Sequence, residues 1–180
     1  MIDTLWGNIV RRHAKKEQLV FDALRAVPMF HELSDRDVRT VQKLVYVRHY
    51  TDRETVFRAG DPSLGMYIVN VGAVRIIREI PLGQQKVIAE LTAGDVFGEM
   101  GLIDDSPRSA TAVAHGAAEI IGFFKPELLN MSLRRPQLGL KIFLSVAKTL
   151  SARLRLTHQE LDELLQKTEK EHDVLPNYLR

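Results

Sequence analysis

The chain has 180 residues, 45% of them hydrophobic, and a formal charge of +2 from 25 basic and 23 acidic side chains. That is enough for one domain plus a helical extension and a real core, which excludes wholesale disorder. The near-balanced charge lacks the clustered basic excess of a nucleic-acid binder. With no cysteine, a disulfide framework and thiolate metal sites are excluded. No run approaches the roughly 18–20 apolar residues of a membrane span. The start, Met-Ile-Asp-Thr-Leu-Trp, has none of the parts of a signal peptide. The expectation is a soluble cytoplasmic protein.

Residues 1–27 read as an N-terminal helical segment. Ile2, Leu5, Trp6, Ile9 and Val10 share one helical face, and Phe21, Leu24 and Val27 continue the pattern. Arg11-Arg12-His13-Ala14-Lys15-Lys16 reads as a solvated face of that helix, and Pro28 ends it. Ser34 is placed to cap a short helix carrying Val38, Val41 and Leu44.

From there the period changes. Seven or eight short strands are expected over 44–50, 55–58, 66–71, 73–80, 86–91, 96–97, 110–114 and 119–124, punctuated by Gly60, Gly65, Gly72, Gly83, Gly94 and Gly116. Short strands with regular turn signals imply an antiparallel sandwich or roll over 28–125. Helices at both ends make the class α+β.

Residues 126–180 return to helix. Pro126 suits a first helical position, and Pro136 begins the next helix. Phe143, Ala147, Leu150, Leu154, Thr157, Leu161, Leu164 and Thr168 then step by 4, 3, 4, 3, 4, 3, 4, the a/d pattern of a coiled coil. Packing on its own domain explains the early part of such a stripe. Beyond Leu150 little chain remains to cover it, so parallel pairing with a second copy is expected. The charged tail from Glu169 is expected to fray.

One stretch concentrates the chemistry. Between Gly94 and Val113, three glycines, a carboxylate (Glu99), a guanidinium (Arg108) and small hydroxyl residues fall together between apolar strands. Gly94, Gly98 and Gly101 permit close backbone approach. Glu99 and Arg108 lie nine positions apart across an Asp104-Asp105-Ser106-Pro107 turn. The arrangement suits a small anionic ligand, held by amides and guanidinium, with the carboxylate free to accept from a hydroxyl. The plain alternative is a surface Glu–Arg pair. Hydrolase, zinc-protease, Walker and dinucleotide motifs are absent, and the six histidines are scattered. The chain therefore reads as a binding module without enzymatic activity, metal or cofactor.

Phe97-Gly98-Glu99-Met100-Gly101-Leu102-Ile103 followed by Pro107-Arg108-Ser109-Ala110-Thr111 resembles the phosphate-binding cassette of the cyclic nucleotide-binding domain family. Arg58-Ala59-Gly60-Asp61, Met66-Tyr67-Ile68-Val69 and Gly72-Ala73-Val74-Arg75 are similar to that family's early glycines and strands. The resemblance covers about residues 28–165. It implies a jelly-roll-like antiparallel double-stranded β-helix, the β-roll, flanked by N- and C-terminal helices.

It further implies that Arg108 pairs with the cyclic phosphate and Glu99 accepts the ribose 2′-hydroxyl. Gly98 would allow backbone approach, and Ser109 and Ala110 would complete the cradle. Phe97, Gly101 and Leu102 belong to the same motif. Residues 99–103 would form one helical turn whose free amides face the phosphate. A serine at 109, where members preferring cyclic GMP often carry threonine, favours cyclic AMP over cyclic GMP.

Arg153-Leu154-Arg155-Leu156-Thr157-His158 is similar to the helix that forms the dimer seam and lids the purine in the catabolite-activator branch. Thr157 would meet the base, and His158 stands where that branch usually has serine. That branch carries a winged helix-turn-helix beyond this helix, and only about a dozen charged residues follow here. No specific DNA binding is therefore expected of this chain by itself. The resemblance implies a cytoplasmic regulatory module for signal transduction. It would be a homodimer through the C-terminal helix and act on an unknown effector protein. The rival expectation is an interaction module whose nucleotide pocket is vestigial.

Overall fold

A computed structural model describes residues 15–173. The expected apolar face from Ile2 to Val10, the basic residues up to Ala14 and the part of the tail after Asp173 lie outside the described residues; from Glu169 to Asp173, where fraying is expected, the chain is still helical. Helix α1 occupies 15–26 and ends in a 3-10 turn at Pro28–Phe30. Helix α2 follows at Asp35–Gln42. Ser34 caps it as the sequence predicts: its Oγ accepts from the Asp37 amide at 3.2 Å. Val38 and Val41 are fully buried beneath it.

The strands are β1 (Val45–Tyr50), β2 (Thr55–Phe57), β3 (Gly65–Ile80), β4 (Gln84–Thr92), β5 (Val96–Phe97) and β6 (Thr111–Phe124). They form one six-stranded antiparallel sheet in the order β1-β6-β3-β4, with β2 also on β6 and β5 on β3. Four of the expected short strands prove to be two long ones. β3 runs through Gly72 and β6 through Gly116; both glycines have positive φ, and the ladder slips register between Val69 and Val71 and between Val71 and Ala73. These glycines make bulges that bend a continuing strand, where the sequence signal suggested turns. At Gly72 a Cβ would also collide with the Ala117 carbonyl of β6.

The two faces of this spine carry separate cores. Met66, Ile68, Ile121 and Phe123 point to the helical side and pack with Leu24, Val27, Phe30, Leu128, Ile142 and Val146. Val69, Val74, Phe97, Ala112, Ala114 and Ile120 fill the other side. The alternation is the strand period of two. Each large, fully buried side chain here contributes about 1.5–3 kcal/mol.

Helix α3 (Lys125–Arg134) has Pro126 in its first turn, and α4 runs for 38 residues from Pro136 to Asp173. They cross closely where Gly139 meets Ser132; a Cβ there would collide with that side chain. Asp37 of α2 binds Arg135 at 3.2 Å and Lys141 at 3.4 Å, pinning this elbow to the body. Burial would raise the Asp37 pKa, but Ser34, Lys141 and Arg135 together pull it below the ordinary carboxylate value.

The apolar stripe of α4 divides in two. Phe143 and Leu150 pack against the helical-side core. Beyond them Leu154, Leu161, Leu164 and Leu165 are more than half exposed.

Candidate functional site

The Gly94–Val113 stretch folds into a strand, a 3-10 turn and a loop that together wall a cavity of about 640 Å³. That size and a mostly apolar lining with a few polar groups suit a small-molecule site. Gly98 precedes the turn Glu99–Leu102 with φ +68°. Its place is doubly restricted: the left-handed backbone favours glycine, and a Cβ would strike the Arg108 guanidinium.

Arg108 is 7% exposed. Its Nη1 donates to the Gly98 carbonyl at 2.9 Å, and its Nη2 to the Gly65 carbonyl at 2.7 Å. The guanidinium lies 4.3 Å above the Phe57 ring and 5.5 Å from that of Tyr67. Two backbone carbonyls and two rings thus hold the cation without a bonded carboxylate. Burial pulls its pKa below the usual arginine value, and Tyr67 partly opposes this. The Arg108 Nε is buried and has no hydrogen-bond partner. The Arg58–Asp61 turn fixes the main chain beneath it. Arg108 N donates to the Asp61 carbonyl at 2.9 Å, and Gly60 N to the Arg108 carbonyl at 2.9 Å. Ala59 N donates to Thr111 Oγ1 at 3.0 Å.

Glu99 is 4% exposed. It does not pair with Arg108. Its Oε1 accepts from Arg153 Nη1 of α4 at 2.6 Å, and the same guanidinium donates to the Val96 carbonyl. The two charged groups of the motif therefore keep separate partners, and the surface Glu–Arg pair is not what the chain forms.

Of the residues singled out in the sequence, Phe97, Gly98, Glu99, Arg108, Ser109, Ala110 and Thr157 line the cavity together. Gly101 and Leu102 stand behind it: Gly101 packs against Ser63 and Gly65, and Leu102 is in the helical-side core. His158 is exposed on α4 and is not part of the lining. Thr157 lies at the wall with its hydroxyl bonded to the Arg153 carbonyl of its own helix at 3.1 Å.

Sequence reasoning passed over Phe57, Ile76, Arg78 and Leu91 from the strands, and Leu150 and Arg153 as cavity residues of α4. Ile76 and Arg78 share a strand face by the period of two, a signal already present in the expected strand over 73–80. A contact from Arg153 back to Glu99 spans 54 positions and has no local signature.

A double-sided antiparallel sheet, helices at each end and a cavity closed by a glycine turn and a buried arginine define a ligand-binding β-roll. The comparisons agree. Residues 47–135 match the family model described as the cyclic nucleotide-binding domain, and this stretch is a domain of that family. It is 33% identical over 141 residues to the cyclic AMP receptor protein of Thermus thermophilus, covering 78% of this chain and 63% of that one. It is 31% identical over 109 residues to a cAMP-dependent protein kinase regulatory subunit of Mycosarcoma maydis, covering 61% of this chain and 20% of that one. So the chain spans less than two thirds of either relative. Among solved structures, the Thermus thermophilus catabolite activator protein superposes with a TM-score of 0.69 at 34% identity, covering 76% of this chain and 62% of that one. A cyclic nucleotide-binding domain from Methylobacillus flagellatus gives 0.71 at 26% identity, covering 85% and 84%. Both carry the β-roll with flanking helices.

Proposed function

We propose that this protein is a cyclic nucleotide sensor, with cyclic AMP preferred to cyclic GMP, that passes binding through α4 to a partner protein. It works in the cytoplasm as a homodimer and is not an enzyme. The observation that carries the reading is the Arg108 guanidinium: buried, free of any bonded carboxylate, with its Nε–H left without an acceptor. Such an orphan costs about 1–3 kcal/mol, a cost that an anionic oxygen drawn in against the guanidinium would remove. A cyclic phosphate fits that need and the adjoining Ser109 and Ala110.

Glu99 supplies the complementary chemistry. An ionised carboxylate only accepts, so it suits a ribose hydroxyl and rejects phosphate. Arg153 already holds one of its oxygens; the hydroxyl takes a remaining lone pair. The names of the relatives, a cyclic AMP receptor and a cAMP-dependent kinase regulatory subunit, support the adenine nucleotide, as does Ser109. The exposed leucines of α4 beyond Leu150 support pairing with a second copy, and the lining residues Leu154 and Thr157 support a lid that feels the ligand.

Calorimetric titration with cyclic AMP and cyclic GMP tests the site. We expect binding by the natural chain and its loss in Arg108→Gln. Undiminished affinity in the variant would sink the assignment. The Glu99–Arg153 pair favours a second reading, an interaction module with a vestigial pocket, because it satisfies the carboxylate without a ligand. Thermal melting separates the two: a competent pocket gains about 2.7 kcal/mol at a hundred times Kd, and a vestigial one gains nothing.

A further inference from the structure

Two cations face each other on the hairpin that walls the cavity. The β3–β4 ladder pairs Arg78 with Lys86. Directly paired residues of an antiparallel ladder project to the same side, and like charges there repel. Three residues earlier the same ladder pairs Arg75 with Glu90, and these form an ion pair at 3.0 Å. Arg78 and Lys86 are both exposed, and neither has a carboxylate partner among the described residues.

Arg78 nevertheless lines the same cavity as Arg108, Ser109 and Ala110. Its position follows from the other ladder of β3. Ile76 pairs with Ala112 and Ile77 with Thr111, so the next residue of β3 is Arg78 and the residue leading into β6 is Ala110. The strand thus delivers Arg78 to the end of the cavity where Ser109 and Ala110 lie. The other charged lining residues are committed elsewhere. Arg153 is bound to Glu99, and Asp104 accepts from the Ser106 amide and hydroxyl.

We propose that Arg78 is a second phosphate-facing cation, backed by Lys86, so that the anion of the ligand rests between a buried and an exposed guanidinium. The inference rests on the nucleotide reading above and adds a residue to it. The two arginines do different work. Arg108 holds the phosphate by hydrogen bonding in a dry setting, which salt screens weakly. Arg78 acts by Coulomb attraction through solvent, which a Debye length of about 8 Å at physiological ionic strength attenuates. Arg78 therefore makes affinity and capture rate depend on salt. The arriving anion also relieves the Arg78–Lys86 repulsion.

The test is titration of the full chain and of Arg78→Gln, Arg78→Lys and Arg108→Gln with cyclic AMP and with cyclic GMP, at about 0.05 M and about 0.5 M salt. We expect Arg78→Gln to raise Kd about two- to fivefold for both nucleotides at low salt. The difference should nearly vanish at high salt, and Arg78→Lys should restore most of it. Thermal melting of the unliganded Arg78→Gln chain should show no loss of stability, because the side chain is exposed and repelled by Lys86. An unchanged Kd at low salt overturns the proposal. So does an effect on one nucleotide alone, which would assign the side chain to the base. If the natural chain binds neither nucleotide, the nucleotide reading itself falls. If Arg108→Gln abolishes binding while Arg78→Gln leaves it untouched, only the role of Arg78 falls.

Discussion

Replacing Arg153 with Met isolates the contact that joins the cavity floor to α4. The Glu99 side chain is 5% exposed and that of Arg153 45%, with 2.6 Å between their charged atoms. Removing one partner of a fully buried pair costs about 3–5 kcal/mol, while an exposed pair is worth at most about 1 kcal/mol. Here one partner is buried and the other is nearly half in water, so the loss falls between, at about 2 kcal/mol. For a chain of this size each kcal/mol moves Tm by about 2–4 °C, giving a drop of about 4–8 °C. Glu99→Gln should cost less, about 1 kcal/mol, since its amide oxygen still accepts from Arg153 and no buried charge is stranded. The double variant should lose about 2 kcal/mol in all, because the stranded carboxylate is gone. Urea unfolding of the four proteins measures the coupling, about 1 kcal/mol. Losses that add to within about 0.5 kcal/mol would show that Glu99 and Arg153 are stabilised independently, and the pair would not tie the floor to the helix.

Gly98→Ala should cost about 1–2 kcal/mol from its left-handed backbone alone and should displace the Arg108 guanidinium that its Cβ would strike. A full ligand-induced shift of the melting temperature in this variant would contradict the geometry. The Asp37 pKa is depressed in the folded chain, so its contribution is present above the unfolded value of about 3.9 and is lost as pH falls through the folded one. Asp37→Asn should therefore lower stability at neutral pH and flatten the acid limb of a stability–pH curve; parallel curves for the two proteins would refute the clamp. Leu154→Glu with Leu161→Glu, at sites 56% and 51% exposed, should convert a dimer to a monomer by light scattering with little loss of monomer stability. Phe143→Ser should instead unsettle the fold, because that ring packs against the core. An unchanged mass in the first variant would remove α4 as the pairing surface.

Much of this architecture was legible in the chain because it is written in local chemistry. Ser34 announces a cap, Pro126 and Pro136 announce helix starts, and the glycines around Glu99 announce close approach. Local signals failed where a residue type has two uses. Gly72 and Gly116 read as turns, yet positive φ serves a bulge equally well, and only the ladder between β3 and β6 distinguishes them. The holders of Arg108 were invisible for another reason. They are the carbonyls of Gly65 and Gly98, and a carbonyl belongs to every residue. Nor does a helical stripe reveal which of its members is already covered. Phe143 and Leu150 fit the same repeat as Leu161, and the body of the protein uses the first two.

One wall of the cavity comes from outside the roll. Leu150, Arg153, Leu154, Leu156 and Thr157 of α4 complete its lining, and the same helix, about 57 Å long, continues past them with Leu161, Leu164 and Leu165 exposed. On the role proposed for α4, affinity for an occupant is a shared property of the roll and of whatever binds the exposed part of that helix. By thermodynamic reciprocity, a companion that favours the closed wall tightens the occupant by the same factor with which the occupant tightens the companion. On that proposal one chain would respond at different ligand concentrations in different company, with its threshold set from outside the pocket.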